Sequence, residues 1–242
     1  MVVSDLPAVG PPEEGLVYRI ARNFDVFTPP DWSWAREDGT FGNRFDDPSA
    51  EDEIPEEDRF RVIYCSSRPV GAFGETISRY RKDVRLYAEL KTIEDDEPLD
   101  PELEGGVVPE DWRLERRKAS THLDSSLLFA DFTDPRSLVV LRRELASLLM
   151  HLGLEDFDLS SMTGPQRRLT QGAARYVYEL TDFSSQPIFA GIRYLSRLNY
   201  HWELWALFDD RMLHTPAETF GTIRRNDPDL QEAASFFEIE IE

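Results

Sequence analysis

Short apolar runs separated by polar, proline-rich and glycine-rich stretches set the pattern of this chain. Leu16-Val17-Tyr18-Arg19-Ile20 and Arg61-Val62-Ile63-Tyr64-Cys65 are rich in β-branched and aromatic residues, which predicts two strands. After the second, Ser66 or Ser67 can cap a helix and Pro69 suits its first turn. Val70, Phe73, Ile77 and Tyr80 then keep helical spacing. Residues 86–93 read as another strand. Leu127-Leu128-Phe129-Ala130-Asp131-Phe132 predicts a strand that ends at Thr133-Asp134-Pro135, a helix-start signal. Leu138, Leu141, Leu145, Leu148 and Leu149 place a helix over 135–152, and a second is expected over 165–181 with Ala174, Val177 and Tyr178 inward. Residues 191–196 and 204–208 read as strands, and the tail at 236–241 alternates like one. Strands and helices mix without regular βα alternation, so the expected fold is a single α+β domain rather than a doubly wound sheet.

The polar stretches divide the chain. Residues 1–15 carry three prolines and are expected to form a flexible lead before a domain at 16–242. Residues 28–58 are loop-like and end in an acidic run at 51–58. Residues 94–106 hold seven acidic residues, no basic ones and two prolines, the pattern of a solvated loop. The 242-residue chain has a formal charge of −20, which argues against nucleic acid as a direct partner, because a phosphate backbone rewards a basic surface. A few well-placed arginines can still hold a small anion. The single Cys65 excludes an internal disulfide framework and fits a reducing compartment. No apolar run approaches the ~18 residues of a membrane span, and the start lacks a basic leader. The expectation is a soluble, cytoplasmic protein with no membrane partner.

Familiar nucleotide, metal and nucleophile patterns are missing: there is no GxGxxG after a strand, no GxxxxGK[ST], no HExxH, no GxSxG and no CxxC. The four histidines, His122, His151, His201 and His214, lack metal-ligand spacing, so no metal site is expected. Trp202 and Trp205 read as packing residues. The stretch from Tyr64 to Glu75 differs. At ~100° per residue, Val70, Phe73, Ile77 and Tyr80 form one stripe and Glu75 lies nearly opposite it. Gly71 shares the Glu75 face, and two helical glycines each cost about 1 kcal/mol relative to alanine. One reading is room for a ligand beside a carboxylate; the other is a solvated glutamate on an outer face.

These residues belong to a longer series. Tyr18-Arg19, Phe41-Gly42-Asn43-Arg44-Phe45-Asp46, Ile63-Tyr64-Cys65-Ser66 through Gly74-Glu75, Asp131-Phe132-Thr133-Asp134-Pro135, Leu169-Thr170-Gln171 and Gly191-Ile192-Arg193-Tyr194-Leu195-Ser196 come one after another in order. The series resembles the RES domain, named for an arginine, a glutamate and a serine, over most of the chain from Val17 to about Asp209. In the second segment, Asn43, Phe45 and Asp46 stand where the family pattern has glycine, tryptophan and asparagine.

The resemblance implies a fold related to ADP-ribosyltransferases and an enzyme that breaks the nicotinamide–ribose bond of NAD. NAD is then a substrate and no separate cofactor is called for. Glu75 would stabilise an oxocarbenium-like state, Tyr64 would stack on the nicotinamide, and Ser196 would hydrogen-bond the ribose or carboxamide. Arg19 and Arg44, with Asn43, would bind the rest of the dinucleotide, the arginines offering forked donors to its pyrophosphate. The implied role is the toxin of a toxin–antitoxin pair, with water or phosphate as acceptor and a helix-turn-helix antitoxin protein as partner; an oligomer is left open. Two rivals remain at this point: transfer of ADP-ribose to a macromolecule, and a RES-like module that binds nucleotide or protein without turnover.

Overall fold

The structure, a computed structural model, describes residues 5–22, 25–48, 54–82, 106–212 and 216–242. In chain order its elements are β1 (Ala8–Val9), β2 (Leu16–Ala21), β3 (Val62–Ser66), α1 (Pro69–Ile77), β4 (Val107–Val108), α2 (Glu110–Leu114), β5 (Arg117–His122) and β6 (Phe129–Asp131). Next come α3 (Pro135–Glu144), α4 (Ala146–His151), α5 (Leu159–Thr163), α6 (Arg167–Glu179), β7 (Gly191–Leu195), β8 (Glu203–Phe208), β9 (Glu218–Thr222), α7 (Pro228–Phe236) and β10 (Glu240–Ile241). Eight strands form one sheet in the order β1-β6-β7-β8-β3-β2-β5-β9. Of these pairings only β6 with β7 is parallel. The domain is thus α+β with a mixed sheet, as the irregular order of strands and helices predicts.

Both faces of the sheet are covered, so its central strand β8 is apolar on both sides rather than alternating. Ala206 and Phe208 pack with Ile192 and Val62 beneath α3, α4 and α6, whose Leu141, Leu149, Leu169 and Val177 are buried. Trp205 and Leu207 point the other way, against Val17, Ile63 and Phe129. A third cluster joins α1 to α7 through Phe73, Ile77, Trp202, Leu230 and Ala233. Among the described residues no helix is long and apolar enough to cross a membrane.

The structure departs from several expectations. From Asp5 onward the lead at 1–15 lies on the domain: Leu6 is buried and Ala8–Val9 pairs with β6, so these residues gain an apolar contact and a ladder that their prolines do not forbid. The helix expected over 135–152 is two, broken at Leu145, although Leu141, Leu145 and Leu149 stay buried across the break. At its start Asp134 accepts the N–H of Arg136 and Pro135 comes next, in line with the start signal. The tail strand shrinks to Glu240–Ile241, paired with β4, because Phe236 closes α7. The strand expected at 86–93, the acidic stretch at 94–105 and residues 51–53 lie outside the described residues.

The start of α1 and its two glycines set how closely this helix meets the sheet. Neither Ser66 nor Ser67 caps it; its N-cap is Arg68, in extended backbone, and Pro69 sets the first turn. Ser66 Oγ instead accepts the Arg68 N–H at 3.3 Å and donates to the Glu203 carbonyl at 3.0 Å. A Cβ on Gly71 would overlap that hydroxyl, and one on Gly74 would overlap the indole of Trp202. The glycines let α1 sit down on the strand end and on Trp202. This packing, not room for a ligand, accounts for both.

Candidate functional site

β2 and β3 pair at one position only, Tyr18 opposite Ser66. The ladder stops there, and a cleft of about 360 Å³ opens beside the unpaired stretches. Arg19 and Ile20 of β2 line it from one side and Tyr64 and Cys65 of β3 from another. Glu75 of α1, Asn43 and Arg44 of the loop after β2, and Ser196 at the end of β7 complete its wall. All six residues singled out in the sequence, Arg19, Asn43, Arg44, Tyr64, Glu75 and Ser196, therefore meet in one cleft.

Glu75 is exposed, on the side of α1 away from the Phe73 and Ile77 contacts. Its Oε1 accepts the Ser196 hydroxyl proton at 2.5 Å. Ser196 is buried, and its Oγ accepts the N–H groups of Leu198 at 3.0 Å and Asn199 at 3.4 Å. A hydroxyl has one proton to give, and here it goes to Glu75. Ser196 thus fixes the carboxylate and closes the turn after β7, and offers a ligand no donor while that bond holds.

Arg19 is half-buried in the cleft wall with its Nη1 buried and unpartnered, and it makes no ion pair among the described residues. Burial lowers its pKa to about 10, against the smaller upward pull of Cys65, Tyr64 and Asp25, so it stays a cation at neutral pH. Burial likewise pushes the Cys65 thiol up, which leaves it protonated and unreactive. A buried guanidinium N–H without an acceptor is costly, and an anion in the cleft would satisfy it.

Arg44 is used differently. Its Nη1 donates to the carbonyls of Met162 and, at 3.3 Å, Gly164, and its Nη2 donates to that of Thr163 at 3.1 Å. These are the carbonyls at the C-terminal end of α5, so Arg44 anchors its loop to that helix as well as lining the cleft. Its pKa falls to about 10, first from burial and then from the nearby Arg167 and Arg197.

The rest of that loop is held by its own side chains. Asp46 Oδ2 accepts the N–H of Phe41 at 3.0 Å and of Asn43 at 2.6 Å, and its Oδ1 lies 3.4 Å from the Tyr64 hydroxyl. The Tyr64 oxygen in turn accepts the Phe45 N–H at 2.9 Å, and Gln171 Nε2 donates to the Asn43 carbonyl at 3.1 Å. Phe45 is fully buried, edge-on to Phe132 and Tyr194. Of the three departures from the family pattern, two therefore serve loop and core, and only Asn43 borders the cleft.

The Asp46 carboxyl carries a pH dependence. Burial raises its pKa above 3.8 and outweighs the N–H groups of Asn43 and Phe41, which lower it. The folded state then keeps a proton that the unfolded state has released, so this group's contribution to stability is full below 3.8 and is lost as pH rises through the folded pKa. Asp46→Asn, which cannot titrate, is expected to fold with cleft and loop intact. Urea unfolding of both proteins from pH 3 upward should show the wild type losing stability relative to the variant as pH rises. A constant difference would remove the assignment.

Sequence reading missed Arg167, Arg197 and Tyr194 as cleft residues. One signal for Arg167 was present: it opens a helix, where the macrodipole disfavours a cation unless an anion is near. Burial raises the Tyr194 hydroxyl well above the usual tyrosine range, with Glu75 pushing the same way and Arg44 and Arg167 opposing. Among the described residues no group of three His, Cys, Asp or Glu side chains could hold a metal ion. The segment from Asp131 to Pro135 lies outside the cleft, where Asp131 pairs with Arg193 at 3.3 Å and Arg193 with Glu203 at 2.6 Å, tying β6, β7 and β8 together.

Comparison with known proteins gives one family. The model of the RES domain matches residues 16–226. No curated protein matches the chain. Among solved structures it is similar to a chain in the crystal structure of the M. tuberculosis MbcT–MbcA toxin–antitoxin complex, with a TM-score of 0.41 and 13% identity over 91% of this chain and 88% of that one.

Proposed function

The chain belongs to the RES domain family, and on that premise we propose that it is an enzyme that cleaves the nicotinamide–ribose bond of NAD. The observation that carries the reading is Glu75, held by Ser196 at 2.5 Å in a cleft whose wall contains the unpartnered Arg19. Breaking that bond leaves positive charge on the ribose as neutral nicotinamide departs with the bonding pair. A carboxylate fixed in advance stabilises such charge without reorganising. Ser196 acts here as a positioning residue, because its proton is spent on Glu75. The Tyr64 ring borders the same space with its hydroxyl tied to Asp46 and Phe45, so its face can stack on the nicotinamide without the ring having to be ordered first. Arg19 supplies the free donor for the pyrophosphate, while Arg44 contributes charge more than donors.

The altered segment at 43–46 is the feature that would favour a binding module without turnover. Phe45 and Asp46 stay out of the cleft wall, which favours activity. In the same proposal the protein is the toxin of a toxin–antitoxin pair, with a separate helix-turn-helix protein as its neutraliser. The exposed Glu56, Glu57 and Asp58 offer a basic partner an electrostatic approach.

Purified protein incubated with NAD should release free nicotinamide. ADP-ribose as the co-product indicates water as acceptor, ADP-ribose 1-phosphate indicates phosphate, and label retained on added protein indicates transfer. Intact NAD under all three conditions would remove the enzyme reading. Arg19→Ala should raise KM by roughly 10–100-fold with a smaller fall in kcat, as expected for a charged hydrogen bond made mainly in the ground state. A fall in kcat alone would take Arg19 out of substrate binding.

A further inference from the structure

The cleft holds more phosphate-binding capacity than one pyrophosphate uses. Among the described residues four arginines line it, Arg19, Arg44, Arg167 and Arg197, against the one carboxylate of Glu75, in a chain whose net charge is −20. They form two groups. Arg19 stands alone on β2, beside Cys65 and Tyr64. The other three come from different elements and converge on Arg44: Arg44 is bonded to the carbonyls of residues 162–164, Arg167 opens the next helix, and Arg197 lies in the turn after β7, close enough for its charge to act on Arg44. Their mutual repulsion is felt at Arg44, whose pKa Arg167 and Arg197 both depress.

The two groups differ in what remains free. Arg44 has given three donor contacts to backbone carbonyls. Arg167 has a buried Nη1 with no partner, and neither it nor the exposed Arg197 makes an ion pair among the described residues. α6 is thirteen residues long, and its N-cap Gln166 makes no side-chain cap. A cation placed at the positive end of a helix is unfavourable, and a second and third cation nearby compound it. A bound anion reverses the sign of each of these terms. A pyrophosphate that satisfies Arg19 leaves this second group unneutralised.

We propose that Arg167, at the N-terminal end of α6, and Arg197, in the turn after β7, form a second phosphate subsite on the cleft wall that takes a phosphate dianion in addition to the dinucleotide's pyrophosphate. The proposal rests on the reading of the cleft as a dinucleotide site. The dianion has two sources: a 2′-phosphate on the adenosine ribose, which makes the phosphorylated dinucleotide the preferred substrate, or free inorganic phosphate bound beside the dinucleotide.

Calorimetric titration of the full-length protein with ligands that lack nicotinamide tests this without turnover. ADP-ribose is compared with ADP-ribose 2′-phosphate, and inorganic phosphate is titrated with and without ADP-ribose, all at fixed ionic strength. If the 2′-phosphate is the occupant, it tightens binding by about tenfold or more, and the gain shrinks to less than threefold in both Arg167→Gln and Arg197→Gln. If free phosphate is the occupant, the two ADP-ribose ligands bind alike and phosphate binds saturably beside them, again lost in both variants. Neither effect in a wild-type protein that binds ADP-ribose overturns the subsite and leaves the enzyme reading intact. Should ADP-ribose fail to bind, it is the dinucleotide reading that fails. Inorganic phosphate alone then decides the subsite: saturable binding lost in both variants upholds it, and no binding ends it. Matching melting temperatures for the variants exclude a folding defect.

Discussion

Glu75→Gln is expected to lower kcat for NAD cleavage by about 10²–10³-fold, the usual cost of removing one preorganised electrostatic stabiliser. KM should hardly move, because the lost charge matters most when the ribose turns cationic. The substitution keeps shape, and the glutamine Oε1 can still accept the Ser196 proton that Glu75 Oε1 accepts at 2.5 Å. Glu75 is exposed and is not a member of the α1–α7 cluster, so stability should stay within about 0.5 kcal/mol of wild type. Steady-state kinetics with nicotinamide release as the readout, and a melting curve for each protein, check both halves. A variant that turns over at the wild-type rate, or one whose loss lies wholly in KM, would sink the assignment of Glu75 to the chemical step.

That glutamate was legible in the sequence because α1 has a one-sided apolar stripe, and a helix places the opposite residue without help from the rest of the chain. The sheet centre was legible for a similar reason, since β3, β7 and β8 are short runs dominated by aliphatic and aromatic residues. β5 was not: its sequence is Arg-Lys-Ala-Ser-Thr-His, and what it buries is Ala119, Ser120 and Thr121, too small and polar to make a hydrophobic pattern. α7 buries Leu230, Ala233 and Ala234, equally faint, although Asp227-Pro228 gives the same start signal as Asp134-Pro135 and was available. Roles that depend on distant partners were hidden altogether. Nothing near Arg44 announces that its guanidinium serves the carbonyls of residues 162–164, and nothing near Ser196 says its proton belongs to Glu75. Gly71 and Gly74 show the same limit from the other side. Their cost in a helix correctly signalled a special reason, but Trp202, which supplies the reason for Gly74, lies far along the chain.

Gly74→Ala therefore separates two accounts of α1. On helix propensity alone the change should stabilise by about 1 kcal/mol. The added Cβ, however, would overlap three carbons of the six-membered ring of Trp202. That ring has nowhere to go: Trp202 is 5% exposed and is hemmed in by Phe236 and Phe237, with ring centroids 5.2 and 5.7 Å away. Overpacking of this kind costs about 1–3 kcal/mol, and relief by moving α1 would drag Glu75 away from Ser196. The expected balance is a net loss of up to about 2 kcal/mol, which for a chain of this length lowers Tm by up to roughly 8 °C. Because the strain falls on the helix that carries Glu75, kcat for NAD cleavage should fall alongside. If Gly74 were instead there to leave room for a ligand, alanine would raise Tm and damage only KM. Calorimetric melting together with steady-state kinetics on Gly74→Ala distinguishes these outcomes, and a raised Tm would overturn the packing account.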